Sequence, residues 1–300
     1  DSTDLAWMVK DENNPWRAVL GGPRKPAGTR QMESPYAGKG RGLSLEYSLK
    51  IPGSGTEVLR FALAGSSATE SEARNTYRNL LMHPGKLLQA KRDRYAGLAE
   101  KSRLTLPDTA LQKAFEWLKY NSDWMVQEVP GIGRGIAAGI PDYPWWFGVD
   151  SEYALRGYMA VGQTDIVYET IRLLDSVSEA VNGNGRIIHE MSTNGAVFNP
   201  GNINETPQFA SLIWHVYRWG GDRAFLERYF PTVRKGLKWL LQANDANGNG
   251  FPDGFGMMEI HGLDSEMIDV AAYTQAGFRH AALMAAEAPE VPPPTTTTSY

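Results

Sequence analysis

From Leu106 onward, segments with apolar residues at helical spacing alternate with long loops rich in glycine and asparagine: Pro130 to Val149, Asn182 to Glu205, and Asn244 to Leu263. Loops of that length inside a helical domain are either functional or disordered. The aromatic rings and carboxylates they carry argue against disorder. One helix starts at Leu106-Pro107-Asp108 and carries Leu111, Phe115, Leu118 and Trp124, and others start at Asp150, Thr164, Thr206, Asp222 and about Asp264. Tyr153, Ala154, Gly157, Tyr158 and Val161 mark the packing face of the helix from Asp150. Phe209, Leu212, Ile213, Val216 and Tyr217 mark that of the helix from Thr206. Helix, loop and helix in repetition predict stacked α-hairpins that present their loops on one face.

The chain before Leu106 is different. Gly42 to Leu49 and Glu57 to Ala64 read as antiparallel strands of a sandwich. Thr69-Glu70-Ser71-Glu72 then opens a polar helix, and a Lys/Arg/Glu-rich helix follows from Leu87 to Lys101. The expected organisation is a β-sandwich remnant over 1–66, a helical linker over 67–105, a helical domain over 106–288, and a disordered Pro/Thr tail over 289–300.

With 42% hydrophobic and 21% charged residues among 300, a large core is affordable. A net charge of -4 without lysine or arginine clusters argues against a nucleic-acid partner. No apolar run approaches the ~18 residues of a membrane span. The absence of cysteine removes thiol nucleophiles and thiolate metal sites. The chain begins at Asp1 without an initiator methionine or apolar leader, as a processed chain or a fragment would. The compartment stays open, with a soluble cytoplasmic protein as the expectation.

Pro141-Asp142-Tyr143-Pro144-Trp145-Trp146-Phe147-Gly148-Val149-Asp150 leads adjacent rings into one carboxylate. A pyranose has a C–H face that lies on an aromatic ring and a hydroxyl rim that needs acceptors, so this run suits a sugar. It equally suits a core followed by a helix cap. The loop from Gly254 places Glu259, Asp264 and Glu266 just before a helix. Cleaving a glycosidic bond needs a carboxylic acid to protonate the leaving oxygen, and the apolar neighbours of Glu259 suit the protonated state. Asp264 or Glu266 could instead serve the helix N-terminus. Asn182 to Glu190 and Asn202 to Pro207 gather Arg186, His189, Glu190, Asn204 and Glu205, side chains able to line a hydroxyl-rich ligand. Glu205-Thr206-Pro207 is also ordinary helix-start chemistry. Asp245-Ala246-Asn247-Gly248-Asn249-Gly250 has calcium-loop spacing, but Gly256 stands where a bidentate glutamate belongs, so an Asn/Gly turn is the alternative.

In this order the segments resemble the six-hairpin glycosidases, the (α/α)6-toroid enzymes that include glucoamylase, trehalase and processing α-glucosidase I. The nearest likeness is to bacterial glycogen-debranching-like (amylo-α-1,6-glucosidase) proteins. The resemblance implies a mainly α fold: a partial (α/α)6 toroid of about six helices preceded by a β-sandwich remnant and helical linker. It implies hydrolysis of α-glucosidic linkages in glycogen- or starch-type oligosaccharides by inversion, with no required cofactor. Trp145, Trp146, Phe147 and Asp150 match the run whose Asp holds the sugar, with His189, Glu190, Asn204, Glu205 and Glu266 as further sugar contacts. Phe255-Gly256-Met257-Met258-Glu259 resembles the segment carrying the glucoamylase acid, with Met in place of Trp, and Gly262-Leu263-Asp264 resembles the rival acid of the processing enzymes. Some relatives hold calcium at an Asp-x-Asn-x-Asn-Gly loop, which nominates Asp245, Asn247 and Asn249. The water-activating carboxylate of the family lies on a later loop, so this chain is expected to lack the general base. A carbohydrate-binding protein on a glycosidase-like scaffold is the alternative.

Overall fold

A computed structural model describes residues 5–33, 40–254, 256, 262 and 265–287. The chain divides into two compact units, Asp1–Ala96 and Gly97–Tyr300.

In the first unit β1 (Ala6–Lys10), β2 (Arg17–Gly21) and β5 (Ala62–Ser66) form an antiparallel sheet in the order β1-β2-β5. β3 (Gly28–Glu33) and β4 (Arg41–Glu46) form a separate hairpin. α1 (Glu70–Met82) packs on the sheet and is capped as its sequence predicts, Thr69 Oγ1 accepting from the Glu72 N–H at 3.1 Å. The strand expected over Glu57 to Ala64 begins only at Ala62. Its alternation turns Ala62 and Ala64 inward and leaves Leu63 exposed, because the Tyr77 ring of α1 occupies the core that these strands face. α2 (Pro84–Glu100) follows.

The second unit opens with α3 (Thr109–Trp124), capped by Asp108, whose carboxylate accepts from the N–H groups of Ala110 and Leu111. A hairpin of β6 (Val126–Val129) and β7 (Gly133–Ile136) leads to β8 (Trp146–Phe147), α4 (Gly148–Ala160) and α5 (Thr164–Val181). β9 (Glu190–Met191), β10 (Val197–Asn199), α6 (Glu205–Gly220), α7 (Arg223–Asn244) and α8 (Ile268–Glu287) complete it. α4, α6 and α8 pack side by side, with α5 against α4 and α7 against both α6 and α8. α6 and α8 come close enough that a Cβ on Gly277 would lie 2.9 Å from the Pro207 carbonyl oxygen. A continuous core runs through these helices, including Leu155, Ile171, Leu174, Phe209, Leu212, Ile213, Leu226 and Leu237.

The fold is mainly α, as expected, with short strands confined to the first unit and to the connections between helices. Two helix faces differ from the sequence reading. On α4 Tyr153, Ala154 and Gly157 are exposed, and the buried stripe is Gly148, Ser151, Glu152, Leu155, Tyr158 and Met159. A stripe containing a serine and a glutamate carries no apolar signal, so periodicity selects the neighbouring face. On α3 Leu111, Leu118 and Trp124 are exposed, and the buried residue is Lys119, whose ammonium donates to the carbonyls of Ala99 and Lys101 at 2.8 and 2.9 Å. The face of α6 is as expected, with Phe209, Leu212, Ile213 and Val216 buried.

Further along these helices His215 of α6 and His280 of α8 pack edge to face at 5.1 Å, His280 Nδ1 lying 2.9 Å from Ser211 Oγ. Burial, then the Arg156 guanidinium and the neighbouring imidazole, lower the pKa of His215 to about 4. Burial and Arg156 likewise lower that of His280. An unfolded chain therefore takes up protons at these positions before the folded one does. Their share of stability is complete above the ordinary histidine value of 6.5 and is lost as pH falls toward about 4. Thermal melts across that interval are expected to show a falling Tm, with a shallower fall in His215→Gln. An equally steep fall in the variant would contradict this assignment.

Candidate functional site

The N-terminal ends of α4 and α6 are held beside the small sheet β8-β9-β10. The Gly148 N–H donates to the His189 carbonyl at 2.8 Å and the His189 N–H donates to the Asn199 carbonyl at 3.1 Å. Further bonds pin the loop entering β9: the Ile187 N–H donates to Thr206 Oγ1 at 3.1 Å, and the Ile188 N–H donates to Ser178 Oγ at 3.0 Å. Gly148 is where the two helix ends close on each other. A Cβ there would stand 2.6 Å from the Ile188 carbonyl oxygen and 3.0 Å from Glu205 Cγ.

This frame encloses a recess of about 290 Å³ lined by Ala138, Tyr143, Phe147, Val149, Asp150, His189, Asn202 and Glu205. Its volume sits near the lower end for ligand sites, roughly 300 Å³. Asp150 is exposed on the first turn of α4. Glu205, only 1% exposed, is the first residue of α6, and its Oε1 lies 2.7 Å from His189 Nδ1. The His189 ring also meets Phe147 edge to face at 5.6 Å. The lining therefore combines aromatic carbon with carboxylate, imidazole and amide groups. That combination can hold a flat polyol through its hydroxyls while a ring covers its C–H face.

The expected sugar-contact residues separate into groups. Phe147, Asp150, His189 and Glu205 line the recess. Trp145 and Glu190 stand beside it: the Trp145 ring stacks on Phe147 at 6.1 Å, and its Nε1–H donates to Glu190 Oε2 at 3.3 Å. Trp146 does not belong to this surface; it is fully buried in the core, because alternation along β8 sends it to the face opposite Trp145. Asn204 is 1% exposed and donates its amide to Asp269 Oδ2 at 2.9 Å, so it ties α6 to α8 instead of facing the recess. Glu266 lies at another loop, accepting from the side-chain amides of Asn247 and Asn249 at 2.9 and 2.7 Å. Glu259 and Asp264 lie outside the described residues.

Asp245, Asn247 and Asn249 form a turn closed by its own bonds. Asp245 accepts from the Asn249 and Gly250 N–H groups, Asn247 Oδ1 accepts from the Asn249 N–H, and Asn249 Oδ1 accepts from the Phe251 N–H. With Glu266 bridging the amides, each of these side chains is satisfied by protein partners. Among the described residues no cluster of three or more His, Asp or Glu side chains is placed to hold a metal ion.

Three contributors lay outside the sequence reading of the site: Tyr143, Asn202 and Phe198. Tyr143 and Asn202 line the recess, and Phe198, 62% exposed, tilts against Trp145 at 6.2 Å. Tyr143 and Asn202 sit inside segments already notable for chemistry. Phe198 had one signal, an isolated ring in a stretch of glycine, asparagine and alanine. A larger depression of about 810 Å³ in the first unit is lined by side chains of both charge signs, including Lys10, Glu12, Arg17, Glu33 and Arg41. Lys10 there is paired with Glu70 at 3.0 Å, and Arg17 donates to the Trp16 carbonyl at 2.9 Å.

No family model and no curated protein matches the chain. Among solved structures it matches a bacterial glucoamylase crystallised with acarbose, at a TM-score of 0.57 and 13% identity. The likeness is one of fold, which in this chain is mainly α in both architecture and helix packing. The match covers 94% of this chain and 43% of the glucoamylase chain, so the protein spans less than half the length of that neighbour. Among the described residues no helix is long and apolar enough to cross a membrane.

Proposed function

We propose that the recess holds one glucose unit of an α-linked oligosaccharide or polysaccharide, and that the protein is the sugar-holding part of an inverting glycoside hydrolase. The observation that carries this reading is the convergence of Asp150, Glu205, His189 and Asn202 on a space walled by Phe147 and Tyr143. The glucoamylase fold adds support, since that neighbour was crystallised with acarbose. In this reading Asp150 accepts from two sugar hydroxyls, the Glu205–His189 pair fixes a third, and Trp145 with Phe198 guides the next unit of the chain. Glu259 protonates the leaving oxygen, with Asp264 as the rival acid. The reading assigns no general base to these residues, so the chain alone binds sugar with little turnover. Debranching of glycogen-type α-1,6 linkages is the substrate choice it carries forward from the sequence resemblance.

Calorimetric titration with acarbose and with maltooligosaccharides tests the proposal. Saturable one-to-one heat with α-linked ligands, and none with cellooligosaccharides of equal length, is expected. Absence of heat with every α-linked ligand would remove it.

A further inference from the structure

Two residues after Asp150, on the buried stripe of α4, lies a third carboxyl that the sugar-binding reading does not use. Glu152 is 1% exposed, and among the described residues neither of its carboxyl oxygens has a hydrogen-bond partner. Such a group in ionised form costs several kcal/mol, about the penalty for an unpaired buried ion. Glu205, also 1% exposed, has Oε1 2.7 Å from His189 Nδ1, while its Oε2 is buried without a partner among the described residues.

The helix geometry directs these two side chains toward each other. Glu152 stands four residues after Gly148 on the same stripe of α4, and helical side chains lean back over the preceding turn. The residue on that turn has no side chain, and Glu205 Cγ fills the space next to it, 3.0 Å from where a Cβ would be. Two carboxylates cannot satisfy each other, since both only accept. One carboxylic acid and one carboxylate can.

We propose that Glu152 is a positioning residue, held as a neutral acid whose O–H donates to Glu205 Oε2 so that Glu205 presents its other oxygen to His189. The electrostatics run the same way. Burial, and then the charges of Glu205 and Asp150, hold the Glu152 carboxyl well above the usual range, and Arg156 on the next turn offsets this only in part. From α8, Asp269 is tied to Asn204. A glutamate that loses this support is free to turn from His189, and the recess loses one fixed acceptor.

The inference rests on the sugar-binding reading only for its purpose, and the experiment separates the two. Carbon-13 labelling of glutamate carboxyls in the intact chain, followed by NMR from acid to neutral pH, is expected to show one carboxyl that stays protonated at neutrality. Its signal is expected to vanish in Glu152→Gln. If every glutamate in the native chain titrates in the ordinary range, or if the protonated signal survives in Glu152→Gln, the proposal is wrong. Glu152→Gln, whose amide can still donate to Glu205, is expected to keep maltooligosaccharide affinity within about two-fold, whereas Glu152→Leu weakens it about ten-fold at unchanged fold by circular dichroism. Equal affinities in Gln and Leu variants would overturn the positioning role. A protonated Glu152 in a chain that binds no sugar would sink the function proposed above and leave the buried proton standing.

Discussion

Trp146→Ala is expected to destabilise the helical unit by about 3–5 kcal/mol, the usual cost of emptying a large aromatic site in a core. Trp146 is fully buried between β7 and the helices, and a Cβ on Gly135 would come 3.1 Å from its indole nitrogen. No neighbour is free to collapse into the space of an indole. The indole N–H is itself buried without a partner among the described residues. Trp146→Phe should therefore cost much less, about 1 kcal/mol, because the area lost is offset by removal of an unsatisfied donor. Trp145→Ala, one residue earlier, is expected to leave stability nearly unchanged, since that ring lies on the other side of β8. Chemical denaturation of the three variants measures the contrast. A loss at Trp145 as large as that at Trp146 would mean the strand faces the other way.

Asp150→Ala should do the opposite: stability stays and sugar binding goes. Asp150 is exposed, so its loss removes mainly a favourable charge at the start of α4, about 0.3–1 kcal/mol. It is the carboxylate that α4 contributes to the recess lining, and each hydrogen bond from a sugar hydroxyl to a charged acceptor contributes about 1.5–3 kcal/mol. Affinity for maltooligosaccharides is expected to fall roughly 10- to 100-fold or more with the melting temperature little changed. Asp150→Asn, which keeps one acceptor oxygen, should fall between. Comparable affinity in Asp150→Ala and the native chain would exclude Asp150 from the binding surface.

How much of this could be read from the sequence depends on which signal each residue carries. Helix positions followed from spacing and caps: Asp108, Thr69 and Asp222 each accept from the first turn they were expected to open. α6 was legible because its buried stripe is apolar. α4 was not, because Ser151 and Glu152 occupy its buried stripe, and their burial comes from the packing of α4 against α6. The same limit separates Trp145 from Trp146. Two adjacent tryptophans look alike in sequence, and only the pairing of β8 with β9, Trp146 opposite Met191 and Phe147 opposite Glu190, assigns one to the core and the other to the side beside the recess. Asn204 and Glu205 differ for an equally local reason, since successive positions at a helix start point to different neighbours, here Asp269 and His189.

The central claim is that the recess at the ends of α4 and α6 takes the sugar, and the tryptophan indole N–H signals report on it directly. The chain has 9 tryptophans, of which Trp145 stacks at the recess, Trp146 lies beneath it, and Trp16 borders the larger depression in the first unit. In a nitrogen-15 NMR titration with maltooligosaccharide, with signals assigned by single Trp→Phe substitutions, the Trp145 resonance is expected to move in a saturable way while those of Trp146 and Trp16 stay in place. Movement of Trp16 with Trp145 unmoved, or no movement of any indole signal at saturating sugar, would contradict the account.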